Sequence, residues 1–220
     1  MKPDFETIKN SPEIRTYITQ ADASLLALGY TEHSFAHVTR CAQVAADLLS
    51  RLGYEDRQVE LARISGYMHD IGNVVNRVDH AQSGAVMAFR ILDKMGMAPE
   101  DVAVVVTAIG NHDEGTAYPV NAVAAALILA DKSDVRRSRV RNQATIRFDI
   151  HDRVNYAVER SDLKLDTDAK TLTLELTIDT EISSVMDYFE IFMNRMILCR
   201  KAAEYFGLEF RMTINGSAVL

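Results

Sequence analysis

His69 and Asp70 stand side by side in the stretch SGYMHDIGNVV, at the close of an apolar, helix-like run. Both are costly to bury. A buried carboxylate needs pairing, and a buried imidazole needs a partner for each ring nitrogen. The same anomaly recurs at four other places. His37 shares a helical stripe with Cys41, Val44, Leu48 and Leu52, and His80 shares one with Gly84, Met87 and Ile91. His112 lies on a stripe with Val105 and Ile109, and Asp131 on one with Ala124, Leu127 and Ile128. Each polar residue stands near the end of its stripe, where a core residue is expected. A single one could be a core polar group satisfied by its neighbours. Four histidines and two aspartates on five helices are satisfied together if their ends converge on a metal. Imidazole nitrogen and carboxylate oxygen are the ligands that divalent transition metals accept.

The elements that must position these residues are punctuated by glycine and proline. Helices are expected over residues 11–28, 32–52, 56–69, 81–95, 99–112 and 119–131. Gly53, Gly72 and Gly96 sit where helices stop, and Pro99 and Pro119 where a first turn tolerates proline. No strand is expected before residue 160. Apolar and polar residues then alternate over 163–166 and 172–178, joined by a turn at 167–170, which reads as a hairpin. A long helix over 183–206 and a third alternating run over 208–214 complete a β-β-α-β tail whose strands need the helix as cover. The expected fold class is mainly α: a helical domain over 1–150 carrying a small β-β-α-β appendage over 151–220.

With 220 residues, 48% of them apolar, the chain can bury a sizeable core. Its formal net charge of −7 argues against a role on long nucleic acid or an anionic membrane. Neither a signal peptide nor an apolar run long enough to span a membrane is found, so the expectation is a cytoplasmic protein. Cys41 and Cys199 read as reduced core thiols.

The ordered set resembles the HD superfamily of metal-dependent phosphohydrolases. That family runs first His, adjacent His-Asp pair, distant Asp. His37 opens HVTRCA, with Arg40 three residues on; His69-Asp70 lies in MHDIGN; Asp131 lies in ILADK. Members that bind a second metal insert two further histidines, and His80 in VDHAQSGA and His112 in AIGNHDEG match them in order and context. The resemblance covers roughly residues 30 to 135. It implies a metal set of His37, His69, Asp70, His80, His112 and Asp131 for one or two divalent ions, with Asp70 bridging the two where both are bound. Iron or manganese is favoured over zinc, cobalt, nickel or magnesium. Two departures stand out. Asn73 occupies a position where many relatives carry a phosphate-contacting lysine. The His112-Asp113 pair, with no GYP motif after it, weakens a cyclic-dinucleotide reading.

The implied activity is hydrolysis of a phosphoester or phosphoanhydride in a small phosphorylated metabolite, a nucleotide by preference, with Asp70 at the centre of the catalytic set. Cations for the phosphate are sought in KSDVRRSRVR, directly after Asp131; Lys132 and Arg136 are the candidates, with a solvated basic face as the equal alternative. His33, one turn before His37, could line the entrance, although a surface histidine is the plainer reading, and Asp79 could support His80. Two other classes share the same residues. One is a mixed-valent di-iron oxygenase of the HD fold. The other is a regulatory or binding module with a structural metal, whose tail edges would suit pairing as a homodimer.

Overall fold

Asp4 caps the short helix α1 (Phe5–Lys9), its carboxylate accepting from the Thr7 N–H, and Ser11 caps α2 (Pro12–Ala27) in the same way through Ile14. The structure, a computed structural model, describes residues 3–141, 144 and 146–219. It divides into two units, Met1–Asp131 and Lys132–Leu220. The first unit continues with α3 (Phe35–Arg51), α4 (Asp56–Met68), a 3-10 turn (Ile71–Val74), α5 (His80–Lys94), α6 (Pro99–Gly110) and α7 (Ala122–Lys132), which ends one residue into the second. Helix α3 packs on α4, α4 on α6 and α5 on α6, while α2 and α5 both pack on the 3-10 turn.

Two glycines fix how closely these elements meet. A Cβ on Gly66 would lie 2.6 Å from the Ala42 nitrogen, so α4 can approach α3 only with glycine there. A Cβ on Gly72 would lie 2.0 Å from the His80 carbonyl oxygen and 2.4 Å from the Gly84 nitrogen, so the turn after Asp70 sits directly on the start of α5. Helix α7 is buried on every side: each residue from Ala122 to Ala130 is out of solvent. Its start differs from expectation. Pro119 lies ahead of the helix, and Asn121 serves as the cap, its side-chain oxygen accepting from the Ala124 N–H at 2.8 Å.

The second unit holds a 3-10 turn (Arg137–Arg139), α8 (Ile150–Ala157), β1 (Val158–Asp166), β2 (Thr171–Ile178), α9 (Val185–Tyr205), β3 (Glu209–Ile214) and β4 (Ser217–Ala218). The four-stranded sheet has the order β1-β2-β3-β4. The β1–β2 hairpin is antiparallel, with Leu163 opposite Leu174 and Leu165 opposite Leu172. The β2–β3 pair is parallel, as a crossover through α9 requires. Leu172, Leu174, Leu176, Phe210, Met212 and Ile214 are buried, and so are Tyr188, Phe192, Met196 and Cys199 of α9, which packs on β3. Each such aliphatic or aromatic side chain is worth about 1.5–3 kcal/mol on burial. Ser184 starts α9 with a capping box to Asp187.

The fold is thus mainly α with a small C-terminal sheet. Helix α1 lies ahead of the first expected helix, and three features of the second unit also depart from the sequence expectation. Strand β1 begins at Val158, before residue 160. Helix α8 precedes it. Strand β4 extends the tail beyond Ile214 through Asn215 and Gly216, whose φ values of 51° and 80° are those of a tight hairpin turn. No helix among the described residues is long and apolar enough to cross a membrane.

Candidate metal centre

His37 comes from the first turn of α3, His69 and Asp70 from the end of α4, His80 from the first residue of α5, His112 from just past α6, and Asp131 from the last turn of α7. All six belong to the first unit. The Gly66 contact sets α3 against α4 and so brings His37 to His69, Nε2 to Nε2 at 3.3 Å. The Gly72 contact sets the start of α5 on the turn after Asp70 and so brings His80 in. The four histidines are buried, and Asp70 is 5% exposed.

Asp70 stands between two pairs of imidazoles. Its Oδ2 lies 3.5 Å from His37 Nε2 and 3.3 Å from His69 Nε2. Its Oδ1 lies 3.6 Å from His80 Nε2 and 4.0 Å from His112 Nε2. Asp131 Oδ1 approaches the first pair, 3.4 Å from His37 Nε2 and 3.8 Å from His69 Nε2. The second pair meets Nε2 to Nε2 at 3.2 Å.

The backbone decides which nitrogen carries the hydrogen. His69 Nδ1 donates to the Gly66 carbonyl at 2.8 Å, His80 Nδ1 to that of Arg77 at 3.1 Å, and His112 Nδ1 to that of Ile109 at 2.6 Å. A carbonyl can only accept, so in these three neutral rings Nδ1 holds the proton and Nε2 holds a lone pair. Lone pairs of His80 and His112 therefore face each other, and that of His69 faces a carboxylate. Asp70 Oδ2 is buried and meets no hydrogen-bond donor among the described residues. Acceptors that converge this closely need a cation among them. The donor set, imidazole Nε2 with carboxylate oxygen and three of the four rings held from behind, fits a divalent metal centre.

His37, Cys41, His69 and Asp131 offer ligand atoms within 4.8 Å of one another, and so do His69, Asp70 and His112. Cys41 was expected only as core. Its Sγ lies 3.7 Å from both ring nitrogens of His37, and the one-turn spacing from His37 was the available signal. Asn73 is buried and donates through Nδ2 to the carbonyl and to Oδ1 of Asp70, both at 3.0 Å, so it holds the carboxylate in place. His33 stacks edge-on against His37, ring centroids 5.4 Å apart, and its Nδ1 donates to the Thr31 carbonyl. The Nδ1 of His80 is taken by Arg77, not by Asp79; Asp79 instead holds a left-handed backbone at the start of α5.

Lys132 and Arg136 fall in the second unit. Lys132 is the buried last residue of α7. Arg136 pairs with the buried Asp134, Nε to Oδ1 at 2.8 Å, and Arg139 donates to the Asp134 carbonyl at 2.7 Å. Arg136, Arg137 and Arg139 of this basic run are thus engaged by acids and carbonyls of their own unit, Arg137 with Glu159 and Asp179.

The profile of the HD domain family matches residues 34–190. An uncharacterized protein of Methanocaldococcus jannaschii, MJ1020, is 26% identical over 200 residues, covering 80% of this chain and 76% of that protein. A solved structure described as a predicted HD superfamily hydrolase from an uncultured Thermotogales bacterium is 27% identical. It covers 60% of this chain and 73% of its own, with a TM-score of 0.44.

Proposed function

This chain belongs to the HD domain family, and from that premise we propose that it is a metal-dependent phosphohydrolase acting on a small phosphorylated metabolite, a nucleotide in the first instance. What supports this above all is the division of Asp70, one carboxylate oxygen toward His37 and His69 and the other toward His80 and His112. His37, His69, Asp70 and Asp131 would hold one divalent ion, and Asp70, His80 and His112 a second. The mixed imidazole and carboxylate set suits iron or manganese. Bound there, such ions supply positive charge to the phosphoryl oxygens and make a coordinated water more acidic.

The residues of the chain do the positioning. The carbonyls of Gly66, Arg77 and Ile109 hold three imidazoles with Nε2 lone pairs inward. Asn73 orients Asp70, and burial keeps bulk water from competing for the ligand atoms. Lys132 and Arg136, the cations the sequence offered for phosphate, lie in the second unit, where Arg136 is paired with Asp134. The two cysteines, Cys41 and Cys199, are buried, which suits a reducing cytoplasm.

The test is a panel of nucleoside mono-, di- and triphosphates, dinucleoside polyphosphates and simple phosphomonoesters, offered to metal-loaded protein with products resolved by chromatography. Metal-dependent release of phosphate or nucleotide is expected. The Asp70→Asn variant should lose about a thousandfold or more, matching the several kcal/mol that metal ions supply. No turnover of any member by protein that holds its metal would contradict the proposal.

A further inference from the structure

Arg77 sits on the bend between the 3-10 turn and α5 and serves the site twice. Its carbonyl accepts from His80 Nδ1. Its guanidinium then returns to the same ring, with Nη1 3.3 Å from His80 Nε2. Three other groups hold it there. Nη1 donates to Asn73 Oδ1 at 3.4 Å, Nη2 lies 3.9 Å from Asp113 Oδ1, and the guanidinium carbon lies 5.7 Å from the centre of the Tyr30 ring. The side chain is 25% exposed, so it sits at the border between the buried site and solvent.

The contact with His80 Nε2 uses the lone pair that a metal would need. An imidazole nitrogen has one lone pair and cannot serve both. Whenever His80 binds an ion, Arg77 loses this acceptor while Asn73, Asp113 and Tyr30 still hold it at the rim. A guanidinium beside a cation needs an anion to offset the repulsion, and its planar fork matches the non-bridging oxygens of a phosphoryl group. On the phosphohydrolase reading above, we infer that Arg77 is the substrate-contacting cation of this site, releasing His80 to the metal and taking phosphoryl oxygens in exchange. This gives the site a preference for substrates whose phosphoryl group offers two free oxygens to the fork.

The experiment uses the full chain, metal-loaded, with inorganic phosphate as probe. Phosphate affinity is measured by titration calorimetry and metal content by elemental analysis for the native protein, Arg77→Lys and Arg77→Ala. Folding of each variant is followed by circular dichroism. The carbonyl that holds His80 survives in both variants, so only the guanidinium is tested. Arg77→Ala should keep its metal and bind phosphate about 10- to 100-fold more weakly, the range of a charged hydrogen-bonded contact. Arg77→Lys, with charge but no fork, should recover part of that loss. Where a substrate has been found, KM should rise in the same order. Phosphate affinity in Arg77→Ala within twofold of native overturns the inference alone. Loss of metal in Arg77→Ala also overturns it, by making the guanidinium a support of the metal ligands. Native protein that holds metal but binds no phosphate and turns over no phosphate ester overturns the phosphohydrolase reading and this inference with it.

Discussion

Asp70 is the residue on which the site turns, because its two oxygens each address a different pair of imidazoles. Removing it should empty the site, whereas His80→Ala or His112→Ala should cost one ion and spare the fold; metal counted per chain separates these outcomes. Asn73 predicts something subtler. It touches Asp70 and not the metal position, so Asn73→Ala should weaken metal affinity by about 10- to 100-fold, measured by competition with a chelator of known strength. The six polar residues were legible in the sequence because helical periodicity exposes a histidine or aspartate on an apolar stripe. Cys41 and Arg77 were not. Cysteine is itself a normal core residue, so its place on a stripe raises no contradiction. Arg77 lies in an irregular segment, where no period assigns a face.

At the scale of elements, helices α2 to α6 lie within a few residues of their expected bounds, because proline, serine and glycine mark their ends. The short pieces escaped. Helix α1 is five residues, too few for a period to register, and α8 has eight. Strand β4 carried a readable signal in Asn215-Gly216, a favoured tight-hairpin pair, but its two residues are too short to alternate. The parallel pairing of β2 with β3 follows from the intervening helix and was implicit in the β-α-β order. Close approach is the element-scale fact that no pattern announces. Gly72→Ala should therefore cost about 3 kcal/mol or more, since the added methyl meets backbone and not a movable side chain. It should also lower metal content by pushing His80 away from Asp70, which calorimetric melting and elemental analysis would show together. In the second unit, Ser184→Ala removes the hydroxyl of the α9 capping box and should cost about 1 kcal/mol in chemical denaturation, with metal content unchanged.

For the molecule as a whole, the sequence reading puts the boundary between helical domain and appendage at residue 150, whereas the contacts divide the chain at Asp131 and Lys132. The intervening basic run accounts for the difference. Its sequence reads as a cationic extension of the helical unit, yet Arg136 and Arg139 close on Asp134, and Ser161 of β1 donates to the Ser133 carbonyl at 2.6 Å. Such long-range polar pairing has no sequence period. Family membership was legible because it rests on order and spacing, and the matched segment, 34–190, runs past the motif into the tail. A metal that ties together residues from five helices should stabilise the folded chain. Free metal at 100 times its dissociation constant should add about 2.7 kcal/mol, seen as a chelator-reversible rise in melting temperature. The most direct measurement is elemental analysis of purified protein beside its Asp70→Asn variant, counting transition metal per chain. Two ions per native chain, chiefly iron or manganese, and none in the variant is the predicted result. Equal metal in both, or none in the native protein with no stabilisation on adding any, would contradict a metal centre built on Asp70.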